Sequence, residues 1–317
     1  SFSTMLDVIK EVLLFVFVSL RCLLIGFIGI FKAFLPRGIL PRKSVEGDIC
    51  LITGAGSGIG RLMAIEFAKL GCTLVLWDIN EKGNEETKAM LSKSGVKVYT
   101  FTVDLSKRQE INAVSERVKG EIGNVDILIN NAGIVTGMKL FDCPDELIEK
   151  TMAVNTNALI FTAKNFLKSM IDRNHGHIVT VASIAGKCGV AELVDYCASK
   201  FGAVGFHESI SAEIRLHKAT GVHTTVVCPY YIDTGMFHGA KTNAPHFLPM
   251  LQPEFVVDCI MDAVLTNQEE LQIPQFCYQI TALMGIFPSA AKHVFAEYLG
   301  INHTMQKFQG RNGIVKK

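Results

Sequence analysis

The chain has 317 residues, a near-balanced charge (31 Lys and Arg against 30 Asp and Glu, net +1) and 49% apolar residues. That length accommodates one large α/β unit of about 250 residues with extensions, and the neutral balance removes the field that nucleic acid would require, leaving small molecules and membranes as partners. The nine cysteines are scattered without a C-x-x-C pair, which argues against a secreted disulfide framework and for reduced thiols in a cytosol-facing protein.

The first strong regional signal is Val12 to Phe31, VLLFVFVSLRCLLIGFIGIF, whose one charge is Arg21. About 20 apolar residues suffice to cross the hydrocarbon of a bilayer. A central arginine costs roughly 2.5 to 3.5 kcal/mol on insertion scales, so a shallow or hairpin-like anchor stays open beside a spanning one. A cleaved signal peptide competes, but the run is long and FLPRGILPRKS offers no small-x-small cleavage site. Lys32, Arg37, Arg42 and Lys43 follow the run, against Lys10 before it, which predicts a cytosolic body by the positive-inside tendency. Residues 1–43 are therefore expected to be a membrane anchor and basic linker.

From Gly47 onward short apolar runs alternate with helix-length segments: DICLIT, TLVLWD, VKVYTFTVD, VDILINNAG, GHIVTVAS and VHTTVVCP are the strand candidates. Runs apolar on both faces belong to strands covered by helices on two sides. The predicted fold class is α/β, a doubly wound parallel sheet of Rossmann type in a single domain over 44–275. Residues 276–317 are left as a C-terminal apolar segment and tail.

Between the first strand and first helix lies TGAGSGIG, Thr53 to Gly60. A glycine-rich turn there lets backbone N–H groups and a helix N-terminus face a pyrophosphate. The general G-x-G-x-x-G spacing fails, because Ile59 stands where the last glycine should be; the pattern is Thr53, Gly54, then Gly58 and Gly60, with Ser57 inside the turn. The second strand ends at Asp78, followed by Ile79, and a carboxylate at that place accepts from adenosine ribose hydroxyls while repelling a 2′-phosphate. The expected cofactor is NAD. Arg61 is the dissenting cation beside the last glycine.

Ser183 ends the strand HIVTVAS, and thirteen residues later come Tyr196 and Lys200, one helical turn apart. For Tyr196 to take a proton near neutral pH its pKa must fall from about 10 to about 7, roughly 4 kcal/mol. A cation at about 4 Å contributes on the order of that amount at an effective dielectric near 20. Lys200 is thus expected to set the acidity of the phenol, with a positive nicotinamide acting in the same direction.

TGAGSGIG, NNAG (Asn130 to Gly133), Ser183 and Tyr196-x-x-x-Lys200 occur in an order that resembles the short-chain dehydrogenase/reductase family across about residues 47 to 275. The resemblance implies that Tyr196 is the general acid/base, that Lys200 lowers its pKa and binds the nicotinamide ribose, and that Ser183 bonds the reacting oxygen. It implies that Asn155 supports a lysine-linked water chain. Asp104, with Leu105, matches the adenine side, and Asn131, Ala132 and Gly133 match the adenine and ribose channel. Thr234 matches a threonine that holds the carboxamide, with Pro229 and Ile232 beside it. Where the family usually has Pro-Gly this chain has Pro229-Tyr230, which puts the path of that loop in doubt. WDIN, DCPDELIEKTM, DYCASKFGAVGFHES and CPYYIDTGMF are similar to membrane-bound retinol dehydrogenases and share words with lipid-droplet 17β-hydroxysteroid dehydrogenases.

FHGAKTNAPHFLPM, Phe237 to Met250, suits either a lid over an apolar ligand or a packed surface loop. FCYQITALMGIF, Phe276 to Phe287, is too short to span and could cap the pocket, dip into a membrane, join a subunit or pack as a core helix. His175, His177, His207 and His223 lack partners at metal spacing, so structural roles and no metal are expected. The resulting expectation is an NAD-dependent oxidation of a lipophilic small-molecule alcohol, retinol to retinal, at the endoplasmic-reticulum membrane or a lipid droplet. A 17β-hydroxysteroid dehydrogenase and a non-catalytic lipid-droplet protein are the alternatives, and the family implies a homodimer.

Overall fold

Every residue of β1 after its first, and every residue of β4 and β5, is buried, because in the computed structural model each face of the sheet carries its own layer of helices. The structure describes residues 2–33, 35 and 37–310, with side chains at 2–4 and 30–33 excepted. The chain divides into two units, Ser1–Arg42 and Lys43–Lys317. The first contains α1 (Phe2–Ala33), within which Met5–Gly29 runs 25 residues at mean hydropathy 2.5, long and apolar enough to cross a membrane. Nearly all of its described side chains are exposed, Phe15 and Phe27 at 73% and 71%.

The second unit runs β1 (Ile49–Thr53), α2 (Gly58–Lys69), β2 (Thr73–Asp78), α3 (Glu81–Met90), β3 (Val98–Thr102), α4 (Arg108–Glu121) and β4 (Ile127–Asn130). There follow α5 (Asp145–Met152), a π turn at Ala153–Asn157, α6 (Ala158–Arg173), β5 (Gly176–Val181), α7 (Val194–Leu216) and β6 (Val222–Pro229). The unit closes with α8 (Pro253–Leu265), β7 (Glu270–Ile273), α9 (Phe276–Ile286) and α10 (Ser289–Tyr298). All strand pairs are parallel, in the order β3-β2-β1-β4-β5-β6-β7. The six strand candidates of the sequence all form; β7 is an addition, pairing Val227 with Leu271.

Strand periodicity sorts the core into two layers. Cys50, Ile52, Leu74, Leu76, Ile127 and Ile129 face Met63 and Phe67 of α2 and Val256, Ile260 and Val264 of α8. Leu51, Val75, Trp77, Leu128 and Ile178 face Ile111 and Val118 of α4 and Phe166 and Met170 of α6. The winding reverses between β1 and β4, and the crevice outside the carboxyl ends of those strands is where an open α/β sheet binds its ligand. Two further apolar clusters gather residues of α7, the loop after β6, α9 and the segment from Leu299 to Phe308.

Candidate active site

Two loops meet at the switch point and are tied by one hydroxyl. Thr53 Oγ1 accepts from the N–H of Asn131 (3.0 Å) and of Ala132 (3.1 Å), while Asn131 Nδ2 donates to Thr53 O (2.9 Å). Thr53 is buried behind the turn and does not line the cavity; it holds the glycine turn against the NNAG loop. Gly60 lets them close: a Cβ there would fall 2.1 Å from Gly54 O.

A cavity of about 310 Å³ opens here. Gly54, Ser57, Gly58, Ile59 and Gly60 line one end, with Asp78 and Ile79 at the tip of β2 and Asp104 and Leu105 after β3. Asn131, Ala132 and Gly133 line its middle, and Ser183, Tyr196 and Lys200 converge beyond them with Pro229, Ile232 and Thr234. The turn at the N-terminus of α2 fits a pyrophosphate, and the strand-end carboxylate fits a ribose. Asp78 accepts from the N–H groups of Gly56 and Asn80, both at 2.8 Å. Arg61 is held elsewhere: its guanidinium donates to Gly56 O (2.5 Å), Gly83 O (3.1 Å), Thr87 Oγ1 (3.0 Å) and Glu86 (3.1 Å).

Ser183 caps the short helical turn that follows it, its Oγ accepting from Ala185 N–H at 3.1 Å. Tyr196 and Lys200 lie in the first turns of α7, both buried. Lys200 Nζ donates to Val181 O at 2.9 Å and stands 5.7 Å from the centre of the Tyr196 ring. Burial lowers the amine to about 8, because a charged group loses its water. Burial also pushes the Tyr196 phenol well above its ordinary value, opposed by a hydrogen bond with Ser183. Loss of solvent is the largest influence on the phenol's acidity, which helix spacing alone could not reveal.

Asn155 sits in the π turn and does not line the cavity. Its Oδ1 accepts from Ile134 N–H and its Nδ2 donates to Ile134 O, both at 2.9 Å, and to Ser199 Oγ at 3.0 Å. Ser199 Oγ in turn donates to Tyr196 O at 2.7 Å, a link that its position three residues after Tyr196 could have suggested. A Cβ built on Gly133 would lie 3.4 Å from Asn155 Oδ1 and 3.5 Å from Lys200 Nζ, so loop, amide and amine meet at one point. At Pro229-Tyr230 the chain manages without glycine: Tyr230 is not among the residues with positive φ, and its ring packs on Tyr231 at 4.7 Å.

Sequence reasoning missed much of the far wall. Lys150 and Val154 line the cavity from the α5 side, and Cys188, Leu193, Tyr231 and Phe237 line its apolar end. Cys277 and Ile280 of α9 line it too, as do Ile301 and Thr304, so among the readings of FCYQITALMGIF the structure realises the pocket wall. Phe237 and Leu248, from the loop at 237–250, line it as well.

The histidines have local partners. His177, buried and held neutral by loss of solvent, meets Lys43 Nζ at 2.7 Å and Thr225 Oγ1 at 2.9 Å. His207, lowered to about 4 by burial, contacts Thr180 Oγ1 at 3.0 Å. His175, Asp48 and Asp126 come together, which their spacing did not suggest. Asp126 there accepts from Arg173 (2.5 Å) and Ile49 N–H (2.9 Å), and His175 bonds Asp48 (2.9 Å).

The family profile described as short chain dehydrogenase matches residues 48–245. The chain belongs to the short-chain dehydrogenase family. It is 50% identical over 272 residues to epidermal retinol dehydrogenase 2 of Mus musculus, covering 86% of this chain and 88% of that protein. It is 45% identical over 294 residues to retinol dehydrogenase 10 of Homo sapiens, covering 84% and 86%. A short-chain dehydrogenase from Burkholderia phymatum in complex with NAD shares the fold at TM-score 0.69 and 24% identity, covering 77% of this chain and 95% of that one. One from Sphingobium yanoikuyae in complex with NADPH gives TM-score 0.67 at 25% identity, covering 79% and 96%. This short-chain dehydrogenase is an NAD(P)-dependent oxidoreductase homologous to retinol dehydrogenases.

The lowered amine makes a measurable prediction. Between about pH 8 and the ordinary lysine value of 10.5, the unfolded chain holds a proton that folded Lys200 has released. The unfolding free energy contributed by this group therefore rises with pH across that window. Denaturant midpoints measured without dinucleotide from pH 7 to 10 are expected to rise less steeply in Lys200→Met than in the parent chain; identical slopes would mean that the amine is solvated.

Proposed function

We propose that this short-chain dehydrogenase oxidises a lipophilic alcohol, all-trans-retinol to retinal, with NAD as the cofactor. The observation that carries the reading is that one cavity joins a glycine turn fit for a pyrophosphate to Ser183, Tyr196 and Lys200 and ends in an apolar wall. The names of its relatives, retinol dehydrogenases at 45% and 50% identity, support the substrate class. The turn from Gly54 to Gly60, Asp78 and the NNAG loop, which line one side of that cavity, are the proposed dinucleotide site. When bound, an oxidised nicotinamide supplies the hydride acceptor and a positive charge.

The chain's own residues handle the proton and the orientation. Ser183 Oγ and the Tyr196 hydroxyl are the polar groups at the apolar end able to hold a carbinol oxygen. Tyr196 removes its proton as the general base. Lys200 sits where phenolate formation would give its ammonium a counter-ion in a water-poor wall, an interaction far stronger there than in solvent. Asn155 keeps the Ile134 loop and the Ser199 turn of α7 in register with both.

NAD is favoured over NADP by charge. Asp78 puts a carboxylate at the ribose position, and Arg61 is committed to Gly56 O, Gly83 O, Thr87 and Glu86. We further infer that residues 1–43 anchor the chain, that 44–275 form the catalytic body with 276–317 completing it, and that the body faces the cytosol from endoplasmic-reticulum membrane or a lipid droplet. A lipid-borne substrate gives such an anchor its purpose.

Tyr196→Phe is expected to lower retinol turnover about 10²- to 10⁴-fold, the range for loss of a general base, while NADH binding by fluorescence stays near that of the parent; sustained turnover would remove Tyr196 from the mechanism. In Asp78→Ser the NAD-to-NADP ratio of kcat/KM should drop at least about tenfold, as expected when a charge repulsion near 1.4 kcal/mol is lifted; an unchanged ratio would leave the preference without its cause. Trypsin added to sealed microsomes should digest the body, and protection of the body would reverse the proposed topology.

A further inference from the structure

The last described stretch of the chain folds back onto the loop that covers the substrate end of the cavity. Lys241 N–H donates to Thr304 O at 2.9 Å, Gln309 N–H to His238 O at 2.9 Å, and Asn243 Nδ2 to Gly300 O at 2.9 Å. Thr304 Oγ1 gives its own proton to Ile301 O at 2.9 Å, so the Tyr231 hydroxyl, 2.9 Å from Thr304 Oγ1, is the donor between them. Tyr231 thereby spends its proton on the tail and leaves the carbinol oxygen to Ser183 and Tyr196.

The rings beside the phenol are braced. Phe237 stands edge-on to Tyr196, centroids 5.7 Å apart at 83°. Tyr231 holds Phe237 from one side at 5.0 Å and Phe308 from another at 6.4 Å. Phe308 is itself seated on Gly137, φ +63, where a Cβ would lie 2.2 Å from Phe308 Cε1. A wall held from two directions cannot swing aside to enlarge the approach to Tyr196.

We propose that residues 301–308 form the specificity wall of the site. Phe308 is a positioning residue that keeps Phe237 edge-on to Tyr196, admitting a carbinol at the end of a flat apolar chain and rejecting one set in fused rings. A terminal carbinol carbon carries one carbon substituent and can leave the Phe237 side vacant. A ring carbinol carries two, and the second meets Phe237. Ile301 and Thr304 contribute by lining the same end directly.

The inference rests on the alcohol-oxidation reading above, and one set of assays separates the two. With full-length enzyme and NAD, kcat and KM are measured for all-trans-retinol and estradiol in the parent, F308A and F308L, alongside NADH binding. The parent should prefer retinol. In F308A the retinol-to-estradiol ratio of kcat/KM should fall about tenfold, the scale of a small change in an apolar pocket, through KM more than kcat and with NADH affinity kept. F308L should shift the ratio in the same direction by less, and it carries the comparison if F308A fails to bind NADH. A parent active on retinol whose ratio is unchanged in a variant that binds NADH overturns the wall alone. A parent that binds NADH but turns over neither alcohol, or prefers estradiol, overturns the substrate reading and the wall with it.

Discussion

The burial of Lys200 is the constraint around which the site is arranged. An ammonium removed from water costs several kcal/mol unless hydrogen bonds or a counter-ion compensate it, and the hydrogen-bond partner here is a carbonyl, Val181 O, not a carboxylate. A neutral partner satisfies one N–H and leaves the charge largely uncompensated, so the amine drops to about 8. Tyr196, in the same wall, is displaced upward by the same loss of solvent. Each group resists ionisation alone, and each becomes the other's natural counter-ion once both ionise. A phenolate beside an ammonium relieves two desolvation penalties together, which makes proton loss from Tyr196 responsive to any further positive charge that enters the cavity.

Such a pair is useful only if its surroundings do not relax, and the doubly wound sheet supplies that rigidity. Val181 is the last residue of a fully buried central strand and is paired with Val227 of β6, so the carbonyl that anchors the amine is fixed by the sheet. The amide of Asn155 makes two bonds to Ile134 and one to Ser199, locking the cofactor-side loop to the helix that bears the phenol. A π turn delivers that amide by adding a residue to a helical turn, a distortion that often accompanies functional positions. Thr53 performs the equivalent service at the other end by holding the glycine turn to Asn131 and Ala132. Thr53, expected at the cofactor, and Asn155, expected to support a lysine-linked water chain, thus both lie behind the cavity wall.

The sheet was legible because its central strands are apolar on both faces, a pattern few other elements share. β7 escaped because Glu270 to Ile273 is four residues long, half of them polar, at the sheet edge. Tyr196 and Lys200 could be paired by helical spacing, and the glycine turn by its place between strand and helix. Their acidities could not, since a pKa follows from the water excluded by residues distant in sequence. The far wall was hidden for a related reason: Tyr231 and Thr304 are 73 positions apart, and no local periodicity announces a contact between a loop and a tail.

The apolar end of the cavity raises a question of direction. Hydrophobic burial is roughly proportional to area and indifferent to orientation, so a wall of Leu193, Tyr231, Phe237, Ile280 and Ile301 retains a lipophilic molecule without deciding which end reaches the nicotinamide side. Orientation must come from the few polar groups that face the reacting carbon. Thr304 and Tyr231 satisfy one another and Ile301 O, and the Asn155 amide is consumed by Ile134 and Ser199. At the reacting end stand the Ser183 and Tyr196 hydroxyls, hydrogen-bonded to one another, with Ser183 Oγ also meeting Ala185 N–H and Pro229 O. An alcohol that enters the wrong way round forfeits its hydrogen bonds in a dry site, a loss of about 1 to 3 kcal/mol for each polar group left unmatched. The mutual satisfaction of the surrounding hydroxyls is therefore as much a part of the orienting device as the Ser183–Tyr196 pair.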